Sequence, residues 1–149
     1  MESVPEPPDP VGLAARALRH RDRSAHEIEQ RLERAGVDAA GRAEALDTLA
    51  RLGYVNDERF ARTRAESLAG RGHGDTAIRF DLRRHGVGGE TVDAAIDALE
   101  PELARAQTVV ERRGTTPRTA RHLSAKGFSR ETIDAALGKA LASEDAEAV

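Results

Sequence analysis

Acid–base or metal chemistry in this chain would have to be built from five histidines, His20, His26, His73, His85 and His122, and from 26 carboxylates. The histidines form no H-E-x-x-H pair or similar motif in which two side chains one helical turn apart close on a metal. His26 and Glu27 are adjacent, so a helix sends them to different parts of its surface. All five read as exposed or structural. Asp93, Asp97 and Glu100 share one helical stretch, but nothing in their spacing marks a proton donor beside a proton acceptor. Gly70-Arg71-Gly72-His73-Gly74 opens a helix and is glycine-rich enough to cradle a phosphate. It lacks the Lys-Ser/Thr ending of a P-loop and follows a helix rather than a strand, so a flexible link between helices is the better reading. No Ser/His/Asp set can be assembled. With no cysteine there are no disulfides, no thiol chemistry and no thiolate metal site. The expectation is a non-enzymatic protein without cofactor or metal.

Arginine is the remaining chemistry, with 21 Arg against two Lys, Lys126 and Lys139. Codon bias in a GC-rich genome gives such an excess, and so does a need to grip carboxylates or phosphates with planar forks. The net charge of −3 hides a basic body, because Glu2, Glu6, Asp9, Glu144, Asp145 and Glu147 lie in terminal segments without a basic residue; the rest of the chain carries +3. Three clusters recur near the junction of the first and second helices expected in each repeat. They are Arg19, Arg21 and Arg23; Arg71 with Arg79, Arg83 and Arg84; and Arg112 and Arg113 with Arg118 and Arg121. Stacked repeats would align them into a positive stripe, the candidate surface for a partner or for DNA. The alternative is a solvated face threaded with intrahelical pairs, as where Glu29 and Glu33 alternate with Arg31 and Arg34.

The elements that would position these arginines are legible as repeats. Ile28-x3-Leu32-x3-Gly36-Val37 matches Ile78-x3-Leu82-x3-Gly86-Val87 and Ala120-x2-Leu123-x3-Gly127-Phe128. Apolar residues three or four apart share a helical face. A glycine followed by an apolar residue then stops the helix, and the next side chain folds back onto it. Beyond the stop, Thr91-Val92-Asp93-Ala94-Ala95-Ile96 matches Thr132-Ile133-Asp134-Ala135-Ala136-Leu137. Ser24 with Glu27 reads as a capping box, Thr116-Pro117 as a cap followed by proline at the first helical position, and Asn56 as a cap with Val55 stapled to Phe60. Phe128 and Ile133 repeat that staple across Ser129.

Nine helices follow, over roughly 11–21, 24–35, 39–52, 56–70, 75–85, 89–99, 101–113, 116–126 and 129–142. The predicted fold is all-α: three tandem three-helix, helix-turn-helix-like repeats, 11–54, 55–99 and 100–142, stacked into an elongated, curved molecule. A disordered proline-rich acidic lead-in (1–10) and an acidic tail (143–149) flank them. With three Phe, one Tyr and no Trp, the core must be aliphatic. The expected core is Leu13, Ile28, Leu32, Leu46, Leu49, Leu52, Tyr54, Phe60, Leu68, Ile78, Leu82, Val92, Ile96, Leu99, Leu103, Val110, Leu123, Phe128, Ile133 and Leu137. No apolar run approaches the roughly 20 residues that span a bilayer. A cytoplasmic, monomeric protein without a membrane partner is the expectation.

Gly53-Tyr54-Val55-Asn56-Asp57-Glu58-Arg59-Phe60-Ala61, continuing to Gly72-His73-Gly74, Ile78, Leu82 and Gly86-Val87, resembles the RecX family. Arg21-Asp22-Arg23-Ser24-x2-Glu27-Ile28-x3-Leu32 is similar to that family's first repeat, and the resemblance covers roughly 11–137. It implies a tandem three-helix-repeat fold and a regulator that binds the RecA–single-stranded DNA filament. Such a regulator restrains ATP hydrolysis, strand exchange and co-protease activity, meeting DNA through the filament. The chain departs from the family pattern where an aromatic is often found (Arg64, His73), where a basic residue is common (Leu68, Gly70) and where proline is usual (Asp75). A thinner basic surface on the second repeat is therefore expected. The other readings are a protein that binds nucleic acid directly through helix-turn-helix-like units, and a helical scaffold for another partner.

Overall fold

The structure is a computed structural model that describes residues 9–147, with side chains described through residue 140. Among the described residues it is built only of helices: α1 (Pro10–Leu18), α2 (Ala25–Arg34), α3 (Ala39–Arg51), α4 (Asp57–Gly70), α5 (Asp75–Arg84), α6 (Gly89–Asp97), α7 (Glu102–Arg113), α8 (Pro117–Ala125) and α9 (Arg130–Glu147). The expected caps set the boundaries. Ser24 Oγ accepts the Glu27 amide while the Ser24 amide donates to the Glu27 carboxylate, the full capping box. Asn56 Oδ1 accepts the Arg59 amide at 3.0 Å, and Thr116 Oγ1 the Thr119 amide at 3.2 Å. At the other ends, Gly36 and Gly127 take φ values of +85° and +90°. The reversal lets Val37 N donate to Leu32 O and Phe128 N to Leu123 O, which satisfies carbonyls the helix leaves open.

By internal contacts the described chain forms two compact units, one ending at Phe60 but taking in His85–Val87, the other holding Ala61–Arg84 and Gly88 onward. In the first, α1, α2 and α3 pack on one another around Ala14, Ala17, Ile28, Leu32, Val37, Ala45, Leu49 and Val55. In the second, α7, α8 and α9 close over Ala106, Val110, Leu123, Phe128, Ile133 and Ala136, and α5 packs on α6 with Ile78, Leu82 and Val92 fully buried. Alanine supplies much of both cores, so helices approach closely where a larger residue would hold them apart.

The structure corrects several expectations. Leu52 and Tyr54 are not core residues: they are 62% and 56% exposed. The chain reverses at Gly53 (φ +78°), and Tyr54 N and Val55 N both bond Leu49 O, so Val55 is the side chain that folds inward. Leu13 and Leu46 in the first unit and Leu103 and Leu137 in the second do pack against the cores, half-buried, and Leu99 is half-buried. Helix α1 ends three residues early: 19–20 form a turn, 21 a bend and 22–24 run without regular structure, and Arg23 Nε takes the Ala17 carbonyl at 3.2 Å. Pro10 belongs to α1 rather than to a lead-in, since a proline at the first helical position loses no hydrogen bond; residues 1–8 of that segment lie outside the described residues. Residues 143–147 of the acidic tail continue α9.

The glycine-rich segment is not a slack linker. Gly72 (φ +87°) ends α4, with His73 N donating to Leu68 O at 3.1 Å. Gly74 is buried, and a Cβ there would stand 2.5 Å from the Gly127 carbonyl. Gly74 N donates to Lys126 O, Asp75 N to Glu102 Oε2 and Thr76 N to Gly127 O. The amides that would cradle a phosphate are therefore already used.

Candidate functional site

A recurring joint sets where the basic side chains stand. In the first unit, the start of α2 meets the glycine stop that follows α5. Ser24 Oγ donates to His85 O at 2.6 Å, a Cβ on Gly86 would overlap the His26 side chain, and Asp57, the first residue of α4, accepts the Ala25 amide at 2.8 Å. In the second unit, the start of α5 meets the stop that follows α8 through Gly74, Thr76 and Gly127. There Glu102, the first residue of α7, accepts the Asp75 amide at 2.7 Å and the Ser129 amide at 3.1 Å. One carboxylate thus caps α5 and α9 together, where helix dipoles favour negative charge. Burial pushes the Glu102 carboxyl up, but hydrogen bonds from Thr132, Asp75 N and Ser129 outweigh it, and its pKa lies below the ordinary value. Arg105 braces the same joint, donating to His73 O and Glu100 O and pairing with Asp75.

The eleven arginines of the sequence reading divide by what they touch. Arg23 is largely buried, holds the Ala17 carbonyl and sits 3.7 Å from Glu27. Arg21 pairs with Glu27 at 2.9 Å, and Arg79 pairs with Asp93. Arg19, Arg71, Arg83, Arg84, Arg112, Arg113, Arg118 and Arg121 are exposed. Five of these lie at helix C-terminal ends: Arg19 caps α1, Arg83 and Arg84 close α5, and Arg112 and Arg113 close α7. Cations are favoured there by the exposed carbonyls, so helix electrostatics accounts for these positions.

The second unit gathers a group the spacing did not show. The Lys126 side chain lies across Gly72, its Cε 3.6 Å from where a Cβ would be. Burial, then Lys126 and Arg71, lower the pKa of His73 against a smaller opposing effect from Asp81. Burial, then Arg113 and Lys126, lower that of His122. Arg71, His73, Lys126, His122 and Arg113 therefore share one electropositive neighbourhood. The sequence held a signal for it: Lys126-Gly127 and Gly72-His73 are both helix stops, and the second unit's joint brings stops together. A second overlooked residue is Phe80, 65% exposed on α5. Among the described residues no group of three or more His, Asp or Glu is placed to hold a metal, and no helix is long and apolar enough to cross a membrane.

Fold and surface define an all-α protein of three-helix repeats with arginines exposed at several helix ends. The profile of the RecX second three-helix domain matches residues 56–96. The regulatory protein RecX of Acidithiobacillus ferrooxidans is 39% identical over 139 residues, 87% of this chain and 89% of that one. That of Halorhodospira halophila is 33% identical over 144 residues, covering 90% and 88%. The crystal structure of RecX from Lactobacillus salivarius superposes with a TM-score of 0.77 at 18% identity, covering 87% of this chain and 93% of that one. The chain belongs to the RecX family of regulatory proteins.

Proposed function

We propose that the chain binds the RecA filament formed on single-stranded DNA and restrains its ATPase, strand exchange and co-protease activities. Membership of the RecX family carries this reading. The chemistry on the surface supports it: nine of the eleven arginines picked out by the sequence are exposed, a set suited to acidic protein surface and to phosphate alike. Arg19, Arg83, Arg84, Arg112, Arg113, Arg118 and Arg121 are the proposed contact residues, with Arg71 joining through the cluster around Lys126. Arg23 and Arg79 act within the fold. The three-helix repeats 11–54, 55–99 and 100–142 are the proposed modules that present them, in a cytoplasmic monomer. In a titration of the purified chain against RecA on single-stranded DNA, ATP hydrolysis and strand exchange should both fall and then saturate. Unchanged rates at several-fold excess over RecA protomers sink the proposal. A protein that bound bare duplex DNA tightly, with a steep salt dependence, would instead be a direct DNA binder.

A further inference from the structure

Helix α5 has two opposite faces. Ile78 and Leu82 are fully buried, while Phe80, two residues from each, is 65% exposed. At 3.6 residues per turn that places the ring on the outer side of the helix. One turn further on, Arg83 and Arg84 stand three and four residues away on the same side of the helix, both exposed, the Arg83 guanidinium reaching towards Gly89 at the start of α6. One turn before it are Thr76, exposed, and Ala77, half-buried. The acids of α5 are engaged elsewhere: Asp81 accepts two guanidinium N–H groups of Arg64 at 2.7 and 2.9 Å, and Asp75 pairs with Arg105. No carboxylate stands at helical spacing beside Phe80 on this helix.

A lone exposed apolar residue is ordinary on a protein surface. An aromatic ring with two exposed cations one turn away on the same side of the helix is a narrower pattern. Protein hot spots gather several apolar side chains inside a ring of sealing contacts, and along this face only the small, half-buried Ala77 accompanies Phe80; the other large exposed hydrophobics of the described residues, Leu52 and Tyr54, are not on α5. Surfaces that hold unpaired nucleic acid combine a stacking ring with positive groups that follow the phosphates. We propose that the α5 face carrying Phe80, Arg83 and Arg84 holds single-stranded DNA, the ring stacking on an unpaired base while the guanidinium groups neutralise phosphates. The inference deepens the filament reading and rests on it for the cellular partner, though the stacking chemistry does not.

The test uses fluorescence anisotropy with labelled oligo(dT) and with an abasic strand of equal length and charge. The wild type should prefer the base-bearing strand by roughly tenfold. Phe80→Ala and Phe80→Leu should lose that preference, and Phe80→Tyr should keep it. Arg83→Gln and Arg84→Gln should instead weaken both strands and each flatten the salt slope by about 0.7. Circular dichroism checks the fold, and the Leu and Tyr variants decide if the Ala variant unfolds. Stacking is overturned if Phe80→Leu keeps the preference. It is equally overturned if the Phe80 variants bind oligo(dT) normally but fail to inhibit RecA, which makes the ring a protein contact. A wild type with the base preference that leaves RecA untouched sinks the filament reading alone; one that inhibits RecA without the preference sinks the stacking alone.

Discussion

Glu102 is the side chain whose removal should disturb the second unit most for its size. Its two oxygens accept the Asp75 amide at 2.7 Å and the Ser129 amide at 3.1 Å, so one carboxylate serves the starts of α5 and α9. Losing a cap costs about 1 kcal/mol for each helix start. The charge adds a fraction more at each dipole, reduced because Glu102 is only partly buried. Glu102→Ala should therefore cost about 2 kcal/mol, and Glu102→Gln, which keeps one acceptor oxygen, about half of that. On a chain of this length 2 kcal/mol lowers Tm by roughly 4–8 °C. The pKa of Glu102 is lowered in the folded state, so its ionisation stabilises the fold above the unfolded value near 4.5, and that contribution is lost as pH falls through the depressed folded value. Urea unfolding of wild type and Glu102→Gln at pH 7 and near pH 3 reads both effects. The stability gap should be present at pH 7 and shrink in acid. An unchanged midpoint at pH 7, or a gap of equal size at both pH values, would refute the double-cap explanation.

Gly127→Ala should cost more than Gly53→Ala in thermal unfolding. Both glycines have positive φ, worth about 1–2 kcal/mol to any other residue; only at Gly127 would the new Cβ also lie 2.5 Å from Ala77 Cβ, while Gly53 has open space. His73 and His122 have lowered pKa values, so each is neutral at pH 7 and gains charge only below its ordinary value of 6.5. Oligonucleotide affinity should rise as pH falls from 7 towards 5, flattening in the His73→Gln/His122→Gln variant, while stability should decline over the same range because the unfolded chain binds more protons. Arg23→Ala should lower Tm with filament inhibition retained at temperatures where the variant is folded, since its guanidinium holds the Ala17 carbonyl.

What could be read from the sequence was local in the chain. Gly36 with Val37, Gly127 with Phe128, and Ser24 with Glu27 act within a few residues of themselves, so spacing alone located the helix ends. Tyr54 misled because the residue after a glycine stop usually folds inward, yet here Val55 had to serve both the α3 stop and the α4 start. The joints were illegible: Asp57 meets Ala25 and Glu102 meets Asp75 across 32 and 27 residues, with no periodicity linking them. The same holds for the arginines. Arg21 is exposed while Arg23 is turned in to the Ala17 carbonyl, a contact six residues back that no spacing announced. Phe80 was legible in principle, as an aromatic residue on the side of α5 opposite Ile78 and Leu82.

The most direct test of the proposed role is RecA's DNA-dependent ATPase, titrated with wild type, Arg23→Ala and Arg83→Glu/Arg84→Glu across a salt series. Wild type and Arg23→Ala should inhibit to the same plateau, with inhibition weakening as salt rises, and the double charge reversal should need at least tenfold more protein while remaining folded. Equal inhibition by all three would place the contact away from α5, and no inhibition by the wild type at any salt would contradict the filament-regulator role itself.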